Sequence, residues 1–152
     1  MKLIHYEAPG LPKVLKVIKS NIPSPNEGEV LIKVAAAGVN RPDLMQREGI
    51  YPAPKGHSKT LGLEVSGIIE KIGLNVKSFK GGDKVCALLD GGGYAEFCIA
   101  KEKQTFKYPN NLSFIEAAGI PECFVTSWSN LVDRGKLKKN QNVLVHGGAS
   151  GI

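Results

Sequence analysis

Cysteine is scarce in this sequence, and its three members, Cys86, Cys98 and Cys123, lie far apart. Their number is odd and no C-x-x-C pair occurs, which argues against both a disulfide framework and a cysteine-based zinc site. Long apolar runs are also missing: nothing approaches the roughly 18 residues that span a membrane, and the start of the chain lacks a signal-peptide core. These absences predict a protein of the reducing cytoplasm with no membrane partner.

Arginine is rare as well, with only Arg41, Arg47 and Arg134 against a net charge of +6 over 152 residues. Arginine is the side chain that best binds phosphate through two hydrogen bonds, and nucleic-acid sites concentrate basic residues on one face. The positive charge comes instead from lysines scattered along the chain, and only residues 136–139 concentrate them. We therefore expect a solvated lysine surface and no nucleic-acid partner.

Turn-forming residues, in contrast, are abundant, with 18 glycines and 9 prolines. They separate short segments that have the pattern of strands: KLIHYEAPG, VLKVIKSNI, EVLIKVAAAGVN, LEVSGIIEKIG, KVCALL and YAEFCIA. Several short strands at close spacing predict an antiparallel barrel or sandwich. We expect VLKVIKSNI to be half-buried, Val30, Ile32 and Val34 to share a face, and Gly67 to mark a bulge or a close backbone contact.

A short helix is predicted in the middle of the strand-rich part, over NRPDLMQREG. Pro42 lies near its start and Gly49 at its end, which are the favoured positions of these residues. Asn40 precedes the helix and has two interpretations, as a helix cap or as a site residue, and both stay open.

The pattern changes near residue 111, which predicts a border between domains 1–111 and 112–152. Ser113 and Glu116 have capping-box spacing at the start of a helix. Phe124 and Trp128 follow at a helical interval and are expected to pack into the core. The segment NVLVH then reads as a short strand that enters the glycine-rich turn GGASGI.

This terminal turn is typical of a phosphate-binding loop. In a Rossmann unit, glycines after the first strand let the backbone approach the pyrophosphate, and the next helix start supplies N–H donors. Gly147, Gly148 and Gly151 occupy such positions. Glycine turns after strands are common, so the turn by itself is a weak indication.

The segments AAGVNRPDLMQREGIYP, LGLEVSGIIEKIG, GGDKVCAL, GGGYAEF, LSFIEAAGIP and VLVHGGASGI, in this order, resemble the zinc-independent NADPH:quinone oxidoreductase branch of the medium-chain dehydrogenase/reductase superfamily. NRPDLMQREGIYP is especially similar to its tumour-suppressor-inducible subgroup. The resemblance implies a mainly β fold with some α: a GroES-like, partly open β-barrel catalytic domain over 1–111. It further implies that 112–152 is the truncated start of an NADP-binding Rossmann domain, in an enzyme that forms a homodimer at full length.

Zinc-dependent relatives in this superfamily place a cysteine at the position of Asn40 and a histidine at that of Leu63. Glu122 best matches the third ligand position, next to Cys123, and the segment CALLDGGGYAEFC leaves no room for the four-cysteine structural zinc lobe. Because catalytic zinc needs about three protein ligands, we expect a site without metal. The residue Glu64, whose counterpart lies behind the metal in those relatives, is expected to serve structure.

Without a Lewis acid, a quinone or a conjugated enone is an easier hydride acceptor than a simple alcohol. The resemblance implies NADPH as cofactor and Asn40 and Tyr51 as the catalytic pocket residues, with Asn40 also near the nicotinamide. It further implies cofactor contacts by Thr126, Gly147, Gly148, Ser150 and Gly151.

Structural roles stay open beside these site roles. Tyr51 has the alternative of packing against its neighbouring prolines, Thr126 of bonding back to the preceding helical turn, and Ser150 of merely filling the turn. His57 is expected to be an ordinary loop residue.

Two other functions also stay open. One is a stand-alone GroES-like binding module without catalysis, and the other is an enoyl reductase of lipid metabolism. If the quinone reductase interpretation holds, we expect the 152 residues alone to bind NADPH poorly and to be inactive or nearly so.

Overall fold

The computed structural model describes residues 1–152 and is mainly β, with seven strands and three short α-helices. The strands are β1 (Lys2–His5), β2 (Lys16–Lys19), β3 (Glu29–Ala37), β4 (Glu64–Ile72), β5 (Lys84–Leu88), β6 (Phe97–Lys101) and β7 (Thr105–Phe106). The helices are α1 (Arg41–Glu48), α2 (Phe114–Ala118) and α3 (Pro121–Trp128), and α3 continues into a π-helical segment, Ser129–Arg134.

Five strands form one antiparallel sheet in the order β6-β3-β4-β5-β7. The sheet curls into a half-barrel. As a result, Lys101 at the end of β6 forms an ion pair with Asp90, which follows β5, although β5 lies three positions from β6 in the sheet. β1 and β2 form a separate two-stranded ribbon, which meets the rest of the fold through a bridge between Leu3 and Ala95. The prediction of a mainly β fold with a partly open barrel is confirmed.

The core lies on the inner face of this half-barrel and follows the predicted alternation. Val30 and Ile32 of β3 are fully buried, and Val34 packs against the same cluster. Gly67 of β4 lies against β3, where a β-carbon would be only 2.2 Å from the carbonyl oxygen of Lys33. The close backbone contact expected at Gly67 is therefore confirmed, and the pairing register shifts nearby, between Val34 and Ala36.

The short helix predicted over NRPDLMQREG is α1, and its ends are as the sequence indicates. Asn40 occupies the N-cap position, and its backbone N–H donates to Asp43 Oδ2 at 2.9 Å. Gly49 ends the helix with φ of 82°, a left-handed conformation that glycine adopts without steric cost. Gly49 and the cap together fix where the chain enters and leaves α1.

Apolar side chains that we expected to be buried are exposed in two places. β2 is exposed along its whole length, because it pairs only with β1 and no layer packs behind the ribbon. Phe124 and Trp128 of α3 are 69% and 63% exposed, so the prediction that they pack into the core is wrong. Their helix face has no element against it, since the sheet contacts the other side of α3.

The strand predicted at NVLVH is also absent. Residues 142–146 have no regular structure, and Leu144 is 81% exposed. A strand needs a neighbour to satisfy its backbone N–H and C=O groups, and no strand of this chain lies beside the segment. The glycine-rich turn that follows does form, with the N–H of Ser150 donating to the carbonyl oxygen of Gly147 at 2.8 Å.

The segment just past residue 111 packs on the sheet. The capping box at the start of α2 is confirmed, with mutual hydrogen bonds between Ser113 and Glu116. Ser66 of β4 donates its hydroxyl hydrogen to the carbonyl oxygen of Phe114, and Ala117 and Pro121 are buried. The domain border at 111 remains a prediction. None of the helices combines the length and the apolar character that crossing a bilayer requires.

Candidate active site

Asn40 is joined to the start of α3 through the carboxylate of Glu64. The side-chain amide nitrogen Nδ2 of Asn40 donates to Glu64 Oε1 at 2.8 Å. The backbone N–H of Glu122, in the first turn of α3, donates to Glu64 Oε2 at 2.9 Å. One buried carboxylate therefore fixes both the orientation of a polar side chain and the position of a helix start.

The surroundings of Glu64 leave its carboxylate little freedom to move. The residue is only 2% exposed at the start of β4. A β-carbon at Gly38 would lie 2.0 Å from Glu64 Oε1, so the absence of a side chain at Gly38 makes room for the carboxylate. Both oxygens accept hydrogen bonds from N–H donors, and these two bonds fix the orientation of the carboxyl group.

A second buried carboxylate, that of Asp43, supports the same corner of the fold. Its two oxygens accept the N–H groups of Asn40 at 2.9 Å and of Gly62 at 3.0 Å. Tyr94 lies beside them and donates its hydroxyl hydrogen to the carbonyl oxygen of Gly38 at 3.2 Å. Burial, and then the charge of Asp43, raise the pKa of the Tyr94 hydroxyl, which stays a neutral donor.

The carboxyl group of Glu122 is half-buried and has no hydrogen-bond partner in the protein. Its burial and the nearby charges of Glu64 and Asp43 raise its pKa above the ordinary carboxyl range. Next to it, burial and the charges of Glu64 and Glu122 raise the pKa of the Cys123 thiol. The first turn of α3 therefore carries two acidic groups with raised pKa values, Glu122 and Cys123, near the carboxyl groups of Glu64 and Asp43.

Thr126, predicted as a cofactor contact, and Tyr51, predicted for the pocket, have different surroundings. Thr126 lies one helical turn after Glu122 on α3, and its hydroxyl makes no hydrogen bond, neither to the preceding turn nor elsewhere. Tyr51 lies in the loop after α1, is half-exposed, and has no hydrogen bond to Asn40 or to any other residue. The structure thus places Asn40 and Thr126 around α3 but does not link Tyr51 to them.

The terminal glycine turn approaches the same end of α3. A β-carbon at Gly151 would lie 3.8 Å from the Sγ atom of Cys123. The backbone N–H groups of Gly148, Ala149 and Gly151 have no acceptor within the protein, and Gly147 has φ of 66° with open space around it. Free N–H groups in such a turn form an arrangement suited to phosphate oxygens.

Sequence reasoning found Asn40 but missed the residues that hold it. Glu64 was expected to serve structure only. Glu122 was matched to the third zinc-ligand position of the relatives, and no role in this protein was predicted for it. The available signal was the acidic residue that opens an apolar strand in GLEVSGII, because a carboxylate buried in a sheet needs donors close by.

The surroundings of Leu63, at a position where zinc-dependent relatives hold a ligand, bear on metal binding. Leu63 stands next to Glu64, and its carbonyl oxygen accepts the N–H of Leu89 at 2.7 Å. No three His, Cys, Asp or Glu side chains are arranged to coordinate a metal ion.

A cavity of about 480 Å³ lies between β6 and the loops at 55–60 and 88–92. His57 lines this cavity, but none of the candidate site residues does.

Comparison with known proteins gives the same fold assignment. The family model described as "Alcohol dehydrogenase GroES-like domain" matches residues 26–110. The synaptic vesicle membrane protein VAT-1 homolog of Danio rerio is 39% identical over 94% of this chain and 30% of its own length. The quinone oxidoreductase of Lama guanicoe is 38% identical over 100% of this chain and 47% of its own.

Solved structures agree with these relatives. The human synaptic vesicle membrane protein VAT-1 homolog-like protein superposes with a TM-score of 0.90 at 34% identity, over 99% of this chain and 49% of that one. The CurK enoyl reductase superposes with a TM-score of 0.89 at 28% identity, over 99% and 48%. The chain thus spans less than half the length of these curated relatives.

The matched residues, the half-barrel fold and these relatives agree with one another. The chain belongs to the alcohol dehydrogenase GroES-like domain family and, within the medium-chain dehydrogenase/reductase superfamily, to the branch of the quinone oxidoreductases.

Proposed function

We propose that this chain provides the substrate-binding part of an NADPH-dependent oxidoreductase that reduces quinones or α,β-unsaturated carbonyls without zinc. The observation that carries the proposal is the hydrogen bond from Asn40 to Glu64, at the position where zinc-dependent relatives hold a metal ligand. Glu64 uses one hydrogen of the Asn40 amide, and the second has no acceptor in the protein. That hydrogen is available to a substrate oxygen.

A zinc-free site is supported by the donor set at this position. Leu63 offers only an aliphatic side chain, and Asn40 is a weak metal ligand whose amide is already oriented by Glu64. Catalytic zinc is usually held by three His, Cys or carboxylate side chains, and no such group is formed here. An amide N–H then stabilises the negative charge that develops on the substrate oxygen.

The cofactor proposal depends on α3 and on the terminal turn. The free N–H groups of Gly148 and Gly151, with the Ser150 side chain, would hold the phosphates, and the unpartnered Thr126 hydroxyl and Asn40 would lie at the nicotinamide end. When bound, reduced nicotinamide supplies a hydride. NADPH rather than NADH follows from the family resemblance.

Tyr51 is proposed as a movable part of the pocket. Its loop, with Pro52 and Pro54, makes the side chain half-exposed, and no hydrogen bond holds the hydroxyl. We propose that this hydroxyl donates a hydrogen bond to the same substrate oxygen that Asn40 binds. The role is separable from that of Asn40 because Tyr51→Phe removes only the hydroxyl.

The cellular setting and the assembly are proposals of the same kind. Three free cysteines fit a reducing compartment, for which we propose the cytoplasm. We further propose the division into a catalytic domain over 1–111 and the first part of a nucleotide-binding domain over 112–152. A homodimer is proposed for the full-length form.

The test uses the 152-residue protein with NADPH and 1,4-benzoquinone. We expect weak NADPH binding, with NMR shift changes confined to Asn40, Thr126 and 147–151, and slow quinone-dependent NADPH oxidation. Metal analysis of the purified protein is expected to give no stoichiometric zinc. A zinc ion beside Asn40, or shift changes that avoid α3 and the terminal turn, would contradict the proposal.

An enoyl reductase is the second candidate, and the likeness of fold to the CurK enoyl reductase favours it. Both reactions need a hydride and an oxygen-binding donor, so Asn40 has the same role in each. The two candidates differ in the substrate, and comparison of benzoquinone with a crotonyl thioester under the same conditions separates them. A binding module without catalysis would turn over neither substrate and would also show no NADPH-induced NMR shift changes at Asn40, Thr126 and residues 147–151.

A further inference from the structure

One carboxyl group in the candidate site has no role in the structure. Glu122 carries a half-buried carboxyl without a hydrogen-bond partner, although its backbone N–H is tied to Glu64 at 2.9 Å. The hydrogen bond from the main chain fixes where the side chain begins. Unlike Glu64 and Asp43, which bind N–H donors with both oxygens, Glu122 keeps both oxygens free.

The position of Glu122 relative to Asn40 is also fixed. Asn40 and the Glu122 backbone donate to the two oxygens of the same carboxylate, so they lie on either side of Glu64. Thr126 follows one turn later, and side chains four residues apart lie on the same face of a helix. A substrate oxygen bound by the Asn40 amide would therefore lie close to the first turn of α3, which carries the Glu122 side chain.

The surroundings of Glu122 raise the affinity of its carboxyl group for a proton. Glu64 is buried, its two contacts are with neutral N–H donors, and no Lys, Arg or His pairs with it. The titratable groups around Glu122 are Glu64 on β4, Asp43 on α1 and Cys123 on α3 itself, and none of them is a cation. Burial and these negative charges raise the pKa of Glu122.

We propose that Glu122 is the proton donor of this site and that Glu64 is the positioning residue that places it beside Asn40. The inference rests on the proposed function, since it assigns the source of the proton that reduction of a quinone or enone consumes.

The step balances with one hydride and one proton. A reduced nicotinamide, when bound, would supply the hydride that forms a new C–H bond at the conjugated carbon of an enone or at a quinone ring carbon. Electron density moves through the conjugated system to the carbonyl oxygen, which forms an O–H bond with the Glu122 proton as the carboxyl O–H bond breaks. Glu122 is left as a carboxylate and, being half-exposed, takes a new proton from water.

The first test measures the titration of Glu122 directly, without cofactor or substrate. Carboxyl-carbon NMR of the 152-residue protein follows Glu122 and, as control, the exposed Glu70. We expect the midpoint of Glu122 to lie above about 4.3, the ordinary value for glutamate. Glu64→Gln removes the neighbouring charge, and the midpoint is then expected to fall. A Glu122 midpoint at or below the ordinary value in the unmodified protein overturns the inference, whether or not the Glu64 variant folds.

The second test measures quinone-dependent NADPH oxidation by Glu122→Gln, with Glu70→Gln as the matched control on the surface. We expect kcat to fall at least tenfold in Glu122→Gln, with KM for NADPH changed less than twofold, and Glu122→Asp to recover part of the loss. An unmodified protein whose kcat declines as pH rises through the Glu122 midpoint supports the assignment. Turnover that survives Glu122→Gln unchanged overturns it.

The two tests separate the possible failures. A raised Glu122 midpoint in a protein whose NADPH-induced NMR shift changes avoid Asn40, Thr126 and residues 147–151 overturns the proposed function, and the donor assignment falls with it. Normal turnover combined with an ordinary midpoint and an unaffected Glu122→Gln variant overturns the donor assignment alone.

Discussion

Asn40 and Glu64 are 24 positions apart in the chain, yet the Asn40 amide donates to Glu64 Oε1 at 2.8 Å. A chemically equivalent pair exists on the surface, where Asn75 Nδ2 donates to Glu27 Oε1 at 2.7 Å. The two pairs differ in burial, which decides how much each contributes to stability. The buried pair also has a second donor, the N–H of Glu122.

Replacement of the buried acceptor is expected to destabilise the fold. In Glu64→Gln, the amide NH₂ group must face either Asn40 Nδ2 or the N–H of Glu122, and a donor then meets a donor. We expect the free energy of unfolding to fall by about 1–3 kcal/mol. The matched change Glu27→Gln is expected to cost less than about 0.5 kcal/mol. Urea unfolding of both variants measures the difference, and equal costs would contradict the role given to burial.

The pKa of Glu122 predicts a pH-dependent effect on stability. Because folding raises this pKa, ionisation of Glu122 lowers the free energy of unfolding. The full stability is present below the ordinary pKa of glutamate, and part of it is lost as pH rises through the pKa of the folded protein. Glu122→Gln removes the loss. We expect the variant to match the unmodified protein near pH 4 and to exceed its stability above pH 7, by less than about 1 kcal/mol because solvent screens a half-exposed group. Thermal unfolding at both pH values tests the sign.

The three thiols are expected to differ in reactivity. Burial raises the pKa of Cys86 to about 11 and that of Cys98 to about 12, so neither is a thiolate at pH 8. Cys123 is partly exposed but also has a raised pKa, so its reaction is slow. We expect a thiol reagent to modify only Cys123 in the folded protein and all three cysteines in urea. NADPH is expected to slow the reaction at Cys123, because Gly151 lies beside it.

Gly67→Ala tests the close contact between β3 and β4. The new methyl group would lie 2.2 Å from the carbonyl oxygen of Lys33, so the two central strands must separate. We expect a loss of about 2–4 kcal/mol, similar to other cases of steric overlap in a packed core. Gly81→Ala is the control, since its nearest contact would be at 3.9 Å. Circular dichroism during urea unfolding gives the free energy of unfolding of both variants. A loss in Gly67→Ala no larger than that in Gly81→Ala would rule out the close contact between β3 and β4.

Limited trypsin digestion tests how residues 112–128 are attached. Arg134, Lys136, Lys138 and Lys139 are exposed, whereas α2 is held to β4 by Ser66 and by buried alanines. We expect cleavage at this basic cluster to precede cleavage at Lys107. Mass spectrometry of the fragments identifies the order. Early release of a piece that begins after Lys107 would mean that α2 is only loosely attached.

The sequence by itself determined the parts of this protein that depend on local chemistry. Turn residues marked the strand ends, Gly49 ended α1 because a left-handed residue was required there, and the Ser113–Glu116 pair started α2. The alternation around Val30 and Ile32 indicated the buried face of β3. These features follow from neighbours within a few positions, which a sequence shows directly.

Only the tertiary structure decided which polar groups meet and which apolar groups are covered. Glu64, Asn40 and Glu122 come together because the curled sheet brings the start of β4 between α1 and α3, and no local pattern encodes that meeting. Apolar periodicity indicated a buried face for Phe124 and Trp128, but burial requires a partner surface, which the rest of this chain does not supply. Residues 142–146 likewise form no strand, since a strand exists only beside another that accepts its hydrogen bonds.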